Sequence, residues 1–182
     1  MMEQDQLTQS HDLEPLIRTV PDFPRAGVQF KDITTLLKDA AALRMSIDRL
    51  AAPFADAQVH LVVGMESRGF IFAAPLAYKL GAGFVPVRKL GRLPAEAVRV
   101  SYDLEYGHNT LELHRDAIAP GQRVLVVDDL LATGGTVLAT IRLVEQLGGE
   151  VIGLAFLIEL RYLHGRENLK NPPPIVSLIQ YE

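Results

Sequence analysis

The chain has 182 residues, 48% hydrophobic and 22% charged, with a net charge of -4 and no cysteine. That composition suits one domain with a real core, excludes disulfides and thiolate zinc sites, fits a reducing cytoplasm, and lacks the basic excess of a nucleic-acid partner. The opening MMEQDQLTQSHDLE carries no basic-then-apolar leader, and the longest apolar run, VIGLAFLI at 151–158, falls short of the ~20 residues that span a membrane, so neither a signal peptide nor a membrane partner is expected.

An amphipathic stretch around Asp12 to Val20 comes first and ends at the loop PDFPRAG. VQFKDITTLL alternates and then turns apolar. Asp39 is placed to cap a helix whose Leu43, Ile47 and Leu50 share one face. VHLVVG at 59–64 reads as a strand of the continuous apolar kind found in parallel sheets. FIFAAPLAYKLG reads as a buried helix closed by Gly81, with Pro75 requiring a kink or a late start. GFVPVRK at 83–89 is a strand ending in two cations, and the polar GRLPAEA after it is expected to be mobile. VRVSYDLEYG and TLELH predict a β-hairpin turning at Gly107 and Asn109. RVLVVDD is the next strand. The helix after it carries Val137, Ile141 and Val144 on one stripe and stops at a Gly pair. VIGLAFLIEL is again a strand, and Pro172 to Pro174 precede a last one, IVSLI.

Strands alternating with helices predict an α/β fold: an open, mainly parallel twisted sheet flanked by helices. Ligands bind beyond the carboxyl ends of such strands. Three of those ends carry chemistry here: GMESRG, VRK and DDLLATGGT.

In ATGGT, Gly134 and Gly135 have no side chains, so backbone N–H groups can converge on one small anion at a helix N-terminus. Thr133 and Thr136 can add hydroxyls. The other reading is a βα turn with Thr as N-cap. Neither the Gly-Lys-Ser/Thr of a P-loop nor the G-x-G-x-x-G of a dinucleotide site is present. The adjacent Asp128 and Asp129 read alone as a solvated strand end or a magnesium site. Just before the cradle, they suit a ribose whose vicinal hydroxyls they accept, while the cradle holds its phosphate. Anions beside the reacting carbon also stabilise positive charge developing there.

VLVVDDLLATGGT resembles the phosphoribosyl pyrophosphate motif of the type I phosphoribosyltransferases. PDFPRAGVQFKDIT, GMESRGF, VRKLGRLP, YDLEYG and LIQYE extend the resemblance, in order, to the adenine-using members along nearly the whole chain. The resemblance implies a single domain over 1–182, with a small N-terminal hood at about 20–37 and a flexible β-hairpin lid at about 90–110. It implies purine salvage: transfer of phosphoribosyl from phosphoribosyl pyrophosphate to adenine, giving AMP and pyrophosphate. Mg2+ would be held mainly by substrate, and the enzyme would be a cytoplasmic homodimer.

The resemblance also assigns roles. Asp128, Asp129, Ala132, Thr133, Gly134, Gly135 and Thr136 would bind ribose phosphate, Asp128 acting catalytically. Ser67, Arg68, Arg88 and Lys89 would meet pyrophosphate, with Arg68 clamping the leaving group and a non-proline cis peptide between Glu66 and Ser67. Gln29, Phe30, Lys31 and Leu130 would bind the base, Phe30 stacking on it and the backbone of Gln29 and Lys31 reading its edge. Glu105 would handle the purine N7 proton and Tyr106 would cover the site. As plain chemistry, Arg68 can instead cap a helix start, Glu105 can be an exposed strand carboxylate, and adjacent cations such as Arg88 and Lys89 are usually solvated. The five histidines (11, 60, 108, 114 and 164) show no metal spacing. The rival readings are the same chemistry on another purine, a ligand-sensing transcription regulator, for which length and basic charge are lacking, and a plain structural domain, which leaves three loaded strand ends unexplained.

Overall fold

The computed structural model describes residues 13–103 and 108–182, which fall into two compact units divided between Arg49 and Leu50. In the first unit a 3-10 turn (Glu14–Leu16) leads into β1 (Arg18–Pro21), which pairs antiparallel with β2 (Gln29–Asp32). The breaker-rich PDFPRAG stretch is this hairpin's loop, where the Gly27 N–H donates to Asp22 Oδ1 at 2.7 Å. The Thr34 amide and the Arg18 guanidinium hold the Asp32 carboxyl down at about 2. After α1 (Thr34–Leu37) comes α2 (Ala40–Ala51), capped by Asp39 as expected: its Oδ1 accepts from the Ala41 and Ala42 amides, each at 2.9 Å.

The second unit holds a seven-stranded sheet. Its elements are β3 (Leu61–Met65), α3 (Gly69–Leu80), β4 (Gly83–Lys89), β5 (Ala97–Asp103), β6 (His108–His114), β7 (Arg123–Leu131), α4 (Gly135–Gln146), β8 (Glu150–Leu160) and β9 (Ile175–Tyr181). The spatial order is β5-β6-β4-β3-β7-β8-β9. The last five of these run parallel, and the hairpin joins antiparallel through β6 against β4. The chain steps one way from β3 to β4 and the other way from β7 to β8. Right-handed crossovers then put α3 and α4 on opposite faces. The order reverses between β3 and β7, which is where open α/β sheets form a ligand crevice.

Central strands buried on both faces need unbroken apolar runs, and β8 is buried from Gly153 through Leu160. Val63, Val126 and Phe156 share one core face with Val137, Leu143 and Val144 of α4. Thr140, not Ile141, takes the fully buried place on that helix, and Ile141 packs at the margin. Thr140 is tolerated there because its hydroxyl donates to the Thr136 carbonyl at 2.9 Å. The Gly pair ends α4 as expected. Gly148 sits at φ 81, its N–H reaches the Glu145 carbonyl at 2.9 Å, and the Gly149 N–H reaches that of Val144 at 3.0 Å.

Three expectations change. Pro75 lies inside α3, whose start at Gly69 rules out the late start. Asn109 is no turn residue, because it pairs with Tyr102 within the hairpin. β7 does not end at the Asp pair but runs on to Leu131, beside Glu159 of β8. The GRLPAEA segment, expected to be mobile, is largely exposed and is tied at its start, where the Gly91 N–H donates to Glu112 at 2.7 Å.

A methyl added at Gly153 would stand 2.3 Å from a ring carbon of the buried Phe54. Gly153→Ala is therefore expected to lower unfolding stability by ~1–3 kcal/mol, read from the midpoint of chemical denaturation.

Candidate active site

β3 and β7 stay paired only up to Gly64 and Val127. Beyond that point β7 keeps β8 on one side and loses β3 on the other. A cavity of about 390 Å³ opens in the gap. Its wall brings together Ser67, Arg68, Lys89, Asp128, Asp129 and Leu130 with the whole of Ala132 to Thr136. Three loaded strand ends, remote in sequence, thus meet at one place.

The cradle is formed by main chain. Gly134 precedes α4 in the left-handed conformation, φ 86, and no side chain caps the helix. The Thr N-cap reading is thereby corrected. The first N–H groups of α4 are left to face an anion, with the helix dipole behind them. The Thr136 hydroxyl sits 3.1 Å from that of Tyr102 on β5.

The two aspartates face different partners. Asp129 is buried, and its Oδ2 lies 2.7 Å from Arg68 Nε. That contact is an ion pair. Asp128 is partly buried, accepts the Asp129 amide at 2.9 Å and lies so close to Gly69 that a methyl there would stand 2.7 Å from its Oδ1. Burial and the neighbouring Asp129 charge push the Asp128 carboxyl well above the usual range. Burial also raises Asp129, with the Arg68 charge opposing it.

Glu66 behaves in the opposite way. Arg88 grips it at 3.1 and 3.2 Å and the Lys89 N–H donates at 3.0 Å, so hydrogen bonding holds this carboxyl below its ordinary value. Arg88 is accordingly turned to Glu66, while Lys89 joins the cavity wall. The peptide between Glu66 and Ser67 is cis.

Gln29, Phe30 and Lys31 lie on β2 of the first unit. The Phe30 ring meets Phe23 edge-on at 5.1 Å, and Lys31 Nζ donates to the Thr19 hydroxyl at 3.0 Å. Glu105 and Tyr106 lie outside the described residues, as does His11. His60 Nδ1 accepts the Arg123 amide at 2.9 Å and His164 Nδ1 lies 3.0 Å from Glu167, both away from the cavity.

Reading the sequence missed Glu66, Tyr102, Asn109, Leu111 and Val137 as wall residues. Glu66 could have been found, because it lies inside GMESRG. Tyr102 opens YDLEYG and could have been found in the same way, whereas Asn109 could not, since only the hairpin's docking on β4 brings it to the site.

A family profile for the phosphoribosyl transferase domain matches residues 29–180. The chain is 58% identical to adenine phosphoribosyltransferase of Clostridium perfringens, over 93% of this chain and 98% of that one. The crystal structure of the Rhodothermus marinus adenine phosphoribosyltransferase superimposes with a TM-score of 0.92 at 54% identity, covering 96% of this chain and 99% of that one. The Saccharomyces cerevisiae enzyme, solved with adenine and an imino-altritol bisphosphate, gives 0.89 at 37% identity, covering 95% and 99%. The chain belongs to the phosphoribosyl transferase domain family.

Proposed function

We propose that the chain is an adenine phosphoribosyltransferase, moving the phosphoribosyl group of phosphoribosyl pyrophosphate onto adenine and releasing AMP and pyrophosphate in purine salvage. The observation that carries this reading is the single cavity in which the uncapped start of α4, the Asp pair and Arg68 face one another. Near-full-length identity to adenine phosphoribosyltransferases supports the choice of base.

In this reading the amides of Gly134 to Thr136 grip the 5-phosphate, and Asp128 and Asp129 accept the ribose hydroxyls. The sugar gains positive charge as pyrophosphate leaves. Two carboxylates held near its ring stabilise that charge, and a site already built for it needs no rearrangement during the reaction. Arg68, Lys89 and Ser67 take the departing pyrophosphate. Arg88 contributes by fixing Glu66, and with it the loop that carries Ser67 and Arg68. The Arg68 that receives pyrophosphate sits beside Asp129, so its charge is shared between carboxylate and ligand.

Asp128 and Asp129 on the wall offer oxygen donors, but among the described residues no group of three such side chains gathers as a cation site, so the residues present fit a cation carried in with the substrate. Magnesium, held mainly by the substrate's own oxygens, supplies charge neutralisation at the leaving group. Adenine N9 attacks the sugar, with Phe30 stacking on the base, Leu130 beside it, and the backbone of Gln29 and Lys31 reading the 6-amino edge. Glu105 handles the N7 proton and Tyr106 covers the site. These base-side and lid roles, with the cytoplasmic location and the homodimer, rest on the family resemblance.

The direct test is incubation with adenine, phosphoribosyl pyrophosphate and magnesium, following AMP by chromatography, with guanine and hypoxanthine as rival bases. AMP formation with little product from the other two is expected; no AMP refutes the assignment. Asp128→Asn and Asp129→Asn should each lower kcat by about 10²-fold or more, the scale of a lost electrostatic stabiliser. The pH profile carries a second signature. A carboxyl raised in the folded enzyme is protonated, and so inactive, up to higher pH. The acid limb of kcat/KM should therefore fall well above the ordinary Asp value of 3.8 and move to lower pH in the residual activity of Asp128→Asn, where Asp129 alone is left to titrate. Phe30→Ala should raise KM for adenine more than KM for phosphoribosyl pyrophosphate.

A further inference from the structure

The loop between β8 and β9 lies against the back of the cradle. It begins with a 3-10 turn (Arg161–Leu163), after which His164 takes a left-handed conformation, φ 53. It is closed on itself, the Glu167 and Asn168 amides donating to the His164 carbonyl at 3.1 and 3.3 Å. Leu169 is buried and anchors its far end.

Three attachments join this loop to the strand and turn that hold the cradle. Arg166 donates to both oxygens of the buried Glu159 at 2.9 and 2.6 Å, and Glu159 is the β8 partner of Leu131, the last residue of β7. Gly165 packs main chain to main chain: a methyl there would stand 2.0 Å from the Ala132 carbonyl oxygen, and one on Gly134 would stand 2.7 Å from the Gly165 carbonyl oxygen. Asn168 Nδ2 donates to the Thr133 carbonyl at 2.9 Å.

The third attachment sets a direction. The Thr133–Gly134 peptide is trans, so its C=O and N–H point opposite ways within one rigid plane. With the Thr133 oxygen drawn toward Asn168, the Gly134 N–H points away from the Asn168 amide. Among the described residues, none of 161–169 lines the cavity, whereas Thr133 and Gly134 do. We propose that Asn168, seated by Gly165, is a positioning residue that aims the Gly134 amide at the 5-phosphate of the ribosyl substrate. The proposal rests on the reading of the cradle as the phosphate site. Asn168 touches no substrate and acts only through the orientation of one peptide.

Calorimetric titration of the full chain with ribose 5-phosphate and, separately, with magnesium pyrophosphate tests this. Asn168→Leu keeps the side chain's size and removes the donor. It should weaken ribose 5-phosphate about five-fold, the scale of one solvent-accessible hydrogen bond, and leave pyrophosphate affinity unchanged. Gly165→Ala should show the same selectivity with a larger loss; if that variant does not fold, Asn168→Leu decides alone. An equal loss for both ligands, or no loss, overturns the positioning role while leaving the cradle intact. Failure of the unaltered protein to bind ribose 5-phosphate overturns the cradle reading and this inference together.

Discussion

Two neighbouring carboxylates sit at the point where a central strand loses one of its partners, and the rest of the site depends on that placement. β7 continues beside β8 to Leu131 after β3 has ended its pairing at Gly64. The unpaired side of β7 becomes the floor of the cavity. Buried there without a counter-charge, Asp128 and Asp129 would repel and lose their solvation. Arg68, delivered by the turn after β3, lies against Asp129, and the start of α4 lends its amides a few residues on. The same two loops that create the gap supply the positive charge that makes it tolerable.

The acids around this sheet divide by environment. Glu66 with Arg88, Glu112 with Arg99 and Glu159 with Arg166 are each matched to a guanidinium. Burial pushes Glu112 and Glu159 upward, but hydrogen bonds from Arg99 and Gly91 in one case and Arg166 in the other more than reverse it. These groups stay ionised and hold loops in place: the turn after β3, the start of the segment after β4, and the loop after β8. Among the described residues only the Asp pair is pushed up, both by burial and Asp128 also by the neighbouring Asp129 charge. A carboxyl whose charge is unfavourable in the free protein gains most when a positive charge arrives, which suits the role proposed for Asp128.

Much of this was legible from residues. The Val-rich runs of β3 and β7, the Gly pair closing α4, and Asp39 ahead of α2 are local signals, because each follows from what one or two neighbours can bond or bury. The Asp pair and the ATGGT that follows it, read as parts of one site, do line one cavity. Other features carried no local signal. Arg88 was expected to meet pyrophosphate beside Lys89, yet its guanidinium is held by Glu66, 22 residues away in sequence. Asn109 had turn chemistry but is fixed by cross-strand pairing with Tyr102. Gly165 and Asn168 matter through contacts with Ala132 and Thr133, more than thirty residues earlier in the sequence.

By itself the sequence determined the alternation of strands and helices, the capping of α2, the close of α4 and the chemical character of three strand ends, since these rest on hydrophobic period and short-range hydrogen bonding. Tertiary structure decided how far β7 runs, which cation faces the cavity and which is tied to Glu66, and what braces the cradle from behind. Those outcomes depend on which strands become neighbours, a property of sheet order that no stretch of a dozen residues contains.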